Sequence, residues 1–439
     1  MQRTLTGMSR RVLLVLPRRT YRARAFLAAA RRLGLEVVVG AEEPSTLAPR
    51  RPGAEVLVDL GQPEASARRV AAYATTHPLD GVVGVDESAV LVGAHIAERL
   101  ALPFHPVAAV AATRDKRQLR QRLAAAGVPQ PCFRELPGSV AGDSPAAAAL
   151  LAAVGLPAVV KPVDQAASRG VIRVDTGAEF VAAVDRVRRL LAADPECAGD
   201  GPAPLLVEHF AAGPEVAVEG LIRDGHLNVV AIFDKPDPLQ GPYFEESCLV
   251  TPSRQPSARQ AQAVAVAAAA AEALGLIDGP IHAELRWDGA EVRCLEVAAR
   301  SIGGQCSRAL RLVGGATLEE AILRDACGLP PARLELAPGA AGVLMLPIPA
   351  AGVLEGVGGQ GAARAVPGVE EVTVTIPRGG RLVPLPEGDR YLGFLFARGA
   401  DAAAVEAALR EAHRCLQVRV TEPTGPAAGP PPLLGAVPR

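Results

Sequence analysis

Apolar residues in the first hundred positions come in short runs separated by longer helix-like segments. The runs RVLLVL, LEVVVG, EVLVDL and GVVGVD have the length and composition of buried strands. Segments typical of helices lie between them, around Tyr21–Leu33, Glu64–Thr75 and Ser88–Leu100. Because strands that alternate with helices form a parallel, helix-covered sheet, the pattern predicts a parallel α/β domain over residues 9–112.

The pattern becomes mixed beyond residue 112. A charged helix is predicted in TRDKRQLRQRLAAAG, ended by Gly127 and Pro129. Strands are then predicted in PAVVKPV, GVIRV, PLLVEHF, EVAVEGLI and LNVVAIF, with a helix around Ala178–Ala193. The alanine-rich run AQAVAVAAAAAEALGL is bounded by charge, so it is predicted as a helix rather than a membrane span. Residues 113–331 therefore form a predicted α+β domain.

The segment Leu329-Pro330-Pro331 separates this domain from a third predicted unit. Residues 332–421 contain the strand-like runs GVLMLPI, EEVTVTI, RYLGFLFARG and LQVRV and a helix around Asp401–Cys415. They are predicted to form a C-terminal α+β domain. The tail 422–439 is rich in Pro, Gly and Ala and is predicted to be disordered.

Two glutamates flank a predicted turn near the middle of the chain. Glu284 lies in IHAELRW and Glu296 in CLEVAARSIGG, and both segments alternate apolar and polar residues. Asp288-Gly289 between them is a strong hairpin signal, so the glutamates are expected on neighbouring strands. Two adjacent carboxylates repel each other unless a cation lies between them. Since Mg²⁺ is commonly shared by carboxylates and nucleotide phosphates, the pair predicts a Mg-nucleotide site.

Two lysines are candidates for binding phosphate. Lys161 ends the predicted strand PAVVKP and is followed by the small-residue loop VDQAASRG. Backbone N–H groups of such a loop can face an anion that the ammonium neutralises, although a solvated lysine beside a turn is the alternative. Lys116 lies in RDKRQLR, where most lysines belong to a solvated helix face.

Two further glutamates lie at a joint between predicted strands. Glu208 and Glu215 flank Gly213-Pro214 in PLLVEHFAAGPEVAVEGLI. Their carboxylates could accept hydrogen bonds from an adenine amino group or from ribose hydroxyls. Exposed charges at strand ends are an equally good interpretation of these residues taken alone.

Composition excludes several functional classes. The 439 residues include 46 basic and 47 acidic ones, and a net charge of −1 gives no sign of a nucleic-acid or anionic-membrane partner. The seven cysteines have no paired spacing, which favours reduced thiols in a cytoplasmic protein, and no Cys/His cluster indicates zinc. The short apolar run at Val12–Pro17 is predicted as a first strand rather than a signal peptide.

The order of these motifs resembles the ATP-grasp superfamily. A lysine in TRDK, a lysine in VVKP with its small-residue loop, the acidic joint LVEHF…GPE, and the two glutamates of the hairpin follow one another at suitable spacing. The segments FDKPDPLQGPYFEESCLVTPS and LEVAARSIGGQ resemble the L-amino-acid ligases, the dipeptide-forming and carnosine-synthase-like branch. The fold class expected is therefore α/β and α+β: an ATP-grasp fold with an N-terminal parallel α/β pre-ATP-grasp domain and a C-terminal α+β domain.

The resemblance assigns roles to matching positions. Lys116 and Lys161 would contact ATP phosphates, and the loop from Gln165 through Ser168 to Gly170 would cover the β- and γ-phosphates. Adenine would be bound by Glu208 with the backbone at His209 and Phe210, and the ribose by Glu215. Glu284 and Glu296 would hold Mg²⁺, with Mn²⁺ as a substitute. Many relatives have an asparagine metal ligand where this chain has Ala298, so the number of metals stays open.

Arg300 is the expected catalytic residue next to these ligands, together with Glu296 and His282. A guanidinium can clamp a carboxylate in bidentate fashion, although an ion pair with a nearby glutamate is the alternative. His282 lies two residues before Glu284 and shares its face of the strand, where it could meet substrate or simply pack. The expected substrate contacts are Ser301, Gly303, Gly304, and the pair Glu245 and Glu246, which could receive an ammonium group.

The function implied is ATP-dependent ligation of a carboxylate to an amine through an acyl phosphate, giving ADP and phosphate. The substrates are expected to be amino acids or amino-acid-like molecules, without nucleic-acid or membrane partners, and a homodimer is expected because relatives are often dimers. Two alternatives stay open: a biotin-carboxylase-like enzyme that uses bicarbonate, and an ATP-binding module without catalysis.

Overall fold

The computed structural model of the protein describes residues 10–18, 20–49, 51–194 and 201–421. The tail predicted to be disordered lies outside these residues. Among them, no helix combines the length and the apolar character needed to cross a membrane.

The amino-terminal unit is the predicted parallel α/β sheet. Its strands are ordered β3-β2-β1-β4, and β1 pairs in parallel with both β2 and β4. The apolar runs form the strands because their side chains can be buried there. In β1, for example, every residue from Val12 to Val15 is buried. The elements are β1 (Arg11–Val15), α1 (Ala23–Arg32), β2 (Glu36–Ala41), β3 (Glu55–Leu57), α2 (Pro63–Ala74), β4 (Gly81–Gly84), α3 (Glu87–Leu100), α4 (Val107–Arg114) and α5 (Lys116–Ala125).

A second, four-stranded sheet follows and is called the small sheet unit here. Its strands are ordered β5-β8-β6-β7, and all three pairings are antiparallel. A capping box between Thr176 and Glu179 begins its longer helix. Its elements are β5 (Phe133–Leu136), α6 (Pro145–Val154), β6 (Ala158–Pro162), β7 (Ile172–Val174), α7 (Gly177–Ala192) and β8 (Leu205–His209).

The centre of the protein is an eight-stranded sheet that runs across the predicted boundary at residue 331. Its order is β13-β12-β9-β10-β11-β14-β18-β16, so strands of the third predicted unit extend the sheet that carries the two glutamates. Its first part consists of β9 (Glu215–Arg223), β10 (His226–Lys235), β11 (Cys248–Thr251), α8 (Ser257–Leu274), β12 (Gly279–Asp288), β13 (Glu291–Ala298) and α9 (Leu318–Ala326).

The remaining elements form the C-terminal unit. Strands β17, β15 and β19 make a separate three-stranded sheet, whereas β14, β16 and β18 belong to the central one. The elements are β14 (Ala340–Leu346), β15 (Gly352–Gly358), α10 (Gln360–Ala365), β16 (Val369–Val374), β17 (Arg381–Leu382), β18 (Gly393–Gly399), α11 (Ala402–Cys415) and β19 (Gln417–Thr421).

Strands β12 and β13 form the predicted hairpin. Gly289 at the turn has φ +66°, a conformation that glycine adopts without strain. Glu284 lies directly opposite Glu296, and the register shifts between Glu284 and Leu285. The prediction that the two glutamates are cross-strand neighbours is therefore confirmed.

Candidate active site

A cleft between the small sheet unit and the central sheet collects most of the residues that the sequence predicts for the site. Its lining includes Lys116, Lys161, Gln165, Ser168, Glu208, His209, Phe210, Glu215, Glu246, Glu284 and Glu296. The other predicted site residues lie outside this lining: Gly170, Glu245, His282, Arg300, Ser301, Gly303 and Gly304.

Lys161 is held by a buried carboxylate at one side of the cleft. Its Nζ lies 2.7 Å from Oε2 of Glu208, and Oε1 of Glu208 accepts a 2.6 Å hydrogen bond from Nε of Arg120. Burial lowers the pKa of Lys161 to about 8, against the attraction of Glu208. Burial also opposes the charge of Glu208, but Arg120 and Lys161 lower the pKa of its carboxyl to about 2. Glu208 therefore holds Lys161 in place, and any contact with adenine would be additional.

The predicted phosphate loop is joined to Lys116. The Lys116 ammonium donates a 2.6 Å hydrogen bond to the Gln165 carbonyl and lies 3.6 Å from Oε1 of Glu296. Ala167 and Ser168 have φ of +55° and +56°, which is uncommon for residues other than glycine. Two consecutive left-handed residues turn the backbone sharply, as a loop that folds around an anion requires.

A row of charges crosses three strands at the floor of the cleft. Glu215 on β9 lies opposite Lys235 on β10 and opposite Arg286 on β12. Its carboxylate accepts a 2.6 Å bond from Lys235 and a 3.0 Å bond from Nε of Arg286. Both oxygens of Glu215 are thus engaged within the protein, so a ribose would share them with these cations.

Lys235 also contacts two other carboxylates that face the cleft. Its Nζ lies 3.0 Å from Oε1 of Glu284 and makes an ion pair with Glu246. Burial opposes the charge of Lys235, but the three carboxylates raise its pKa well above the usual value. Lys235 therefore stays charged and neutralises part of the acidic cluster. Lys235 lies in FDKP, within a segment that resembles the L-amino-acid ligases, but its role in the cleft becomes visible only in the fold.

The carboxylates of the cleft suit a hard divalent cation. Oxygens of Glu215, Glu246 and Glu284 lie within 4.8 Å of one another, but the Lys235 ammonium already pairs with all three. Glu296 faces Glu284 across the hairpin and keeps one third of its side chain exposed. Lys235 also contacts Glu284 and Lys116 contacts Glu296, but the hairpin places these two carboxylates opposite each other, as candidate ligands for a Mg²⁺ shared with phosphates.

His282 supports Glu284 from behind. Its Nδ1 contacts Glu219, and its Nε2 lies 3.1 Å from Oε1 of Glu284. Burial opposes protonation, but the two carboxylates raise the pKa of His282 to about 10. Both ring nitrogens of the charged His282 contact carboxylates, so the imidazolium fixes the orientation of Glu284. His282 therefore acts on Glu284 in this structure and has no ring nitrogen left for a substrate. Ala298 lies opposite His282 on β13, is buried and offers no metal ligand.

Arg300 is shared between the hairpin and the amino-terminal unit. Its Nε donates a 2.6 Å bond to Glu87 at the start of α3, and its Nη1 donates a 3.0 Å bond to the Ser301 carbonyl. Among the described residues, none accepts a hydrogen bond from Nη2. Ser301 is buried, and its hydroxyl contacts the buried guanidinium of Arg22. The ion pair that is the alternative for Arg300 is thus present, and its partner is Glu87 of the amino-terminal unit rather than a glutamate of the hairpin.

The backbone N–H groups expected to bind adenine are engaged in this structure. The N–H of His209 donates to the Cys132 carbonyl at 2.8 Å, and that of Phe210 donates to the Pro157 carbonyl at 2.9 Å. The Phe210 ring lies 4.4 Å from the guanidinium of Arg173. Phe210 therefore offers an apolar ring to this end of the cleft rather than a free donor.

The other predicted substrate contacts lie around the cleft. Glu246 lines it, whereas Glu245 is partly buried beside it, and burial raises the pKa of Glu245. Gly304 has φ +58° and approaches Phe394, where a Cβ would lie 3.1 Å from the ring. Gly303 lies near Arg300, whose Nη1 would be 3.8 Å from a Cβ at that position.

Three family models match the chain. The ATP-grasp N-terminal domain matches residues 27–104, the ATP-grasp domain residues 154–309, and the L-amino acid ligase C-terminal domain 2 residues 344–421. The second match contains strands β12 and β13 of the hairpin. It also contains the phosphate loop and the strands on either side of it, β6 and β7. The third covers most of the C-terminal unit.

One solved structure and two individual proteins are also similar to the chain. The L-amino acid ligase from Bacillus licheniformis superposes with a TM-score of 0.80 at 26% identity, covering 95% of this chain and 100% of that one. Carnosine synthase 1 from Gallus gallus is 30% identical over 258 residues, which are 57% of this chain but only 28% of that protein. An uncharacterized protein, y4rH, from Sinorhizobium fredii is 25% identical over 92% of this chain and 82% of its own length.

Proposed function

We propose that the chain, which carries two ATP-grasp matches and resembles the L-amino acid ligase structure over nearly its full length, joins the carboxyl group of one amino acid or amino-acid-like molecule to the amine of another. The observation that carries the proposal is the placement of Glu284 and Glu296 side by side, with Lys116 beside Glu296 and Lys161 lining the same cleft. Anion-binding cations and metal-binding carboxylates in one cleft are what transfer of a phosphoryl group from ATP requires.

Binding of the nucleotide falls to the lysines and the loop. The ammonium groups of Lys116 and Lys161 would neutralise phosphate oxygens, and the loop around Ser168 would bring backbone N–H groups to them. Glu284 and Glu296 would hold Mg²⁺, whose charge would offset that of the phosphates. The rigid support of Glu284 by His282 would keep this carboxylate in one orientation.

Arg300 would bind the carboxylate substrate. Its Nε and Nη1 are fixed by Glu87 and by the Ser301 carbonyl, which leaves Nη2 to donate to an incoming carboxylate. A carboxylate oxygen would attack the γ-phosphorus with loss of ADP and give an acyl phosphate. The amine nitrogen would then attack the acyl carbon with loss of phosphate, and a proton would be released as the ammonium becomes an amide. Most of the catalysis in such steps is positioning and electrostatic stabilisation.

A substrate screen tests the proposal. Phosphate release from Mg-ATP is measured against amino acids singly and in pairs, with mass spectrometry of the products and Glu296→Ala as the control. Release that needs two amino acids, gives their condensation product and is absent in the variant supports amide formation. Release that depends on bicarbonate, or turnover that is unchanged in Glu296→Ala, contradicts it.

A further inference from the structure

The small sheet unit is a separate body that the rest of the protein must hold in place. Its strands pair only with one another among the named strands, and its apolar core is its own, built around Leu136, Phe180 and Val184. It carries Lys161 and the phosphate loop. Its position over the cleft therefore depends on contacts with other parts of the chain.

A short segment of the C-terminal unit, residues 384–388 and called the strap here, makes several of these contacts. The Pro386 carbonyl accepts a 2.9 Å hydrogen bond from the N–H of Gly170, the last residue of the phosphate loop. The Glu387 carbonyl accepts a 3.3 Å bond from Nε of Arg169. Two successive carbonyls of the strap thus hold two successive residues of the loop.

The Glu387 side chain extends this contact to helix α7. Its carboxylate accepts bonds of 2.7 and 3.0 Å from Nε and Nη2 of Arg186, a bidentate pair. The remaining Nη1 of Arg186 donates a 2.5 Å bond to the Tyr243 hydroxyl, on the segment between β10 and β11. Arg186 therefore contacts both the strap and that segment, which Arg173 of the small sheet unit also contacts at the Gln240 and Pro242 carbonyls.

The pair has the character of a reversible contact. The Glu387 side chain is 37% exposed and that of Arg186 is 15% exposed, so water can replace each partner when they separate. The bonds that the Gly170 N–H and the Arg169 guanidinium donate to strap carbonyls also join polar groups, which water can solvate. Such contacts can open to admit nucleotide and close again, while the buried pair of Arg120 with Glu208 keeps strand β8 of the unit attached to helix α5.

We propose that Glu387 and Arg186 are positioning residues that latch the small sheet unit and its phosphate loop over the bound nucleotide. The inference rests on the proposed function, because that function has an acyl phosphate as its intermediate. If the small sheet unit opened before the amine had reacted, water would reach the acyl phosphate first. Water attack on the acyl carbon returns the carboxylate and phosphate, so ATP is consumed without amide formation. The latch would thus determine how tightly ATP cleavage is coupled to ligation.

The test compares Glu387→Gln with Glu370→Gln. Glu370 pairs with Arg311 and Arg398 within the C-terminal half of the chain, so the control removes a comparable carboxylate whose partners belong neither to the strap nor to the small sheet unit. Three quantities are measured: the ratio of phosphate released to amide formed, the KM for ATP, and hydrogen exchange of residues 165–173 with and without Mg-ADP. The dissociation constant of Mg-ADP is measured in parallel.

The latch predicts a specific pattern. In Glu387→Gln the phosphate-to-amide ratio and the KM for ATP rise roughly two- to tenfold, the range for loss of a part-exposed bidentate pair, and exchange in the loop speeds up. The double variant Glu387→Arg with Arg186→Glu, in which the two charges are exchanged, restores the native ratio, KM and exchange in part. The control Glu370→Gln leaves all three unchanged. Equal ratios, KM values and exchange in Glu387→Gln and the native protein overturn the latch. If no substrate pair turns over, the proposed function fails, while Mg-ADP binding and exchange still report on the latch.

Discussion

Lys161 should take up a proton when the protein binds nucleotide in mildly alkaline solution. Burial lowers its pKa to about 8, so about half of the free protein lacks this charge at pH 8. Phosphate groups beside the ammonium favour its charged form and raise its pKa in the complex. Binding of Mg-ADP should therefore draw about half a proton per site from the buffer at pH 8 and about nine-tenths at pH 9.

The same shift sets the pH dependence of affinity. The protonated form is the one that binds, so binding is strongest below pH 8 and weakens as the pH rises through that value. Between pH 7 and pH 9 the dissociation constant should increase by about tenfold, which corresponds to about 1.4 kcal/mol. Three other perturbed groups in and around the cleft lie outside this window, since the pKa is about 2 for Glu208, about 10 for His282 and about 12 for Cys294.

Calorimetry in buffers of different ionisation enthalpy measures the proton uptake directly. The matched variant is Lys161→Arg, which keeps a positive charge that does not titrate in this range. Native protein should show uptake that grows from pH 7 to pH 9, and the variant should show almost none. Uptake that is equal in both proteins would refute the assignment of the titration to Lys161, and absence of uptake at pH 9 in the native protein would refute the lowered pKa.

Three further substitutions test the site. If Glu296 is a metal ligand as proposed, Glu296→Gln should lower amide formation by about a hundredfold or more, because loss of even an outer partner of a metal ligand typically costs 10–100-fold. Near-native rates in a steady-state assay would contradict this. Glu208→Gln should lower the free energy of unfolding by about 3–5 kcal/mol, since the substitution leaves the buried cations Arg120 and Lys161 without their carboxylate. Denaturant titration measures this free energy. Gly213→Ala should destabilise the protein by more than about 1 kcal/mol, because Gly213 has φ +92° and a Cβ would lie 2.2 Å from a backbone oxygen; an unchanged melting temperature would be inconsistent with this backbone.

Local patterns predicted the elements well because each element buries its own apolar positions. The four parallel strands, the hairpin and helix α7 all lie where the runs and turn signals placed them. The residues 145–154, in contrast, form helix α6 without having been assigned. Alanine is so frequent in this chain that its presence alone did not distinguish this helix from a loop.

The hairpin shows where pattern alone was insufficient. Asp288 pairs with Glu291, so an unbroken ladder would place Glu284 opposite Leu295 and turn Glu296 to the other face. The register shift after Glu284 brings Glu296 opposite it instead. A one-residue bulge of this kind has no clear sequence signal, yet the two carboxylates could not share a metal without it.

Long-range partners were also beyond sequence reasoning. Glu208 and Glu215 are candidates for nucleotide contacts because they flank a strand joint, but Glu208 pairs with Arg120 and Lys161, and Glu215 pairs with Lys235 and Arg286. Arg120 is 88 residues away from Glu208 in the chain. Only the assembled fold shows that these glutamates first of all position cations.

Arg120 links the two halves of the site. It is fully buried, its Nε binds Glu208, and its Nη groups donate to the carbonyls of Cys294 at 3.1 Å and Leu295 at 2.6 Å. Those two carbonyls belong to the bulge that places Glu296 opposite Glu284. One guanidinium therefore ties the carboxylate that holds Lys161 to the backbone distortion that brings Glu296 opposite Glu284. The groups proposed to bind phosphate and metal thus share one buried contact, so loss of Arg120, which does not line the cleft itself, should disturb both.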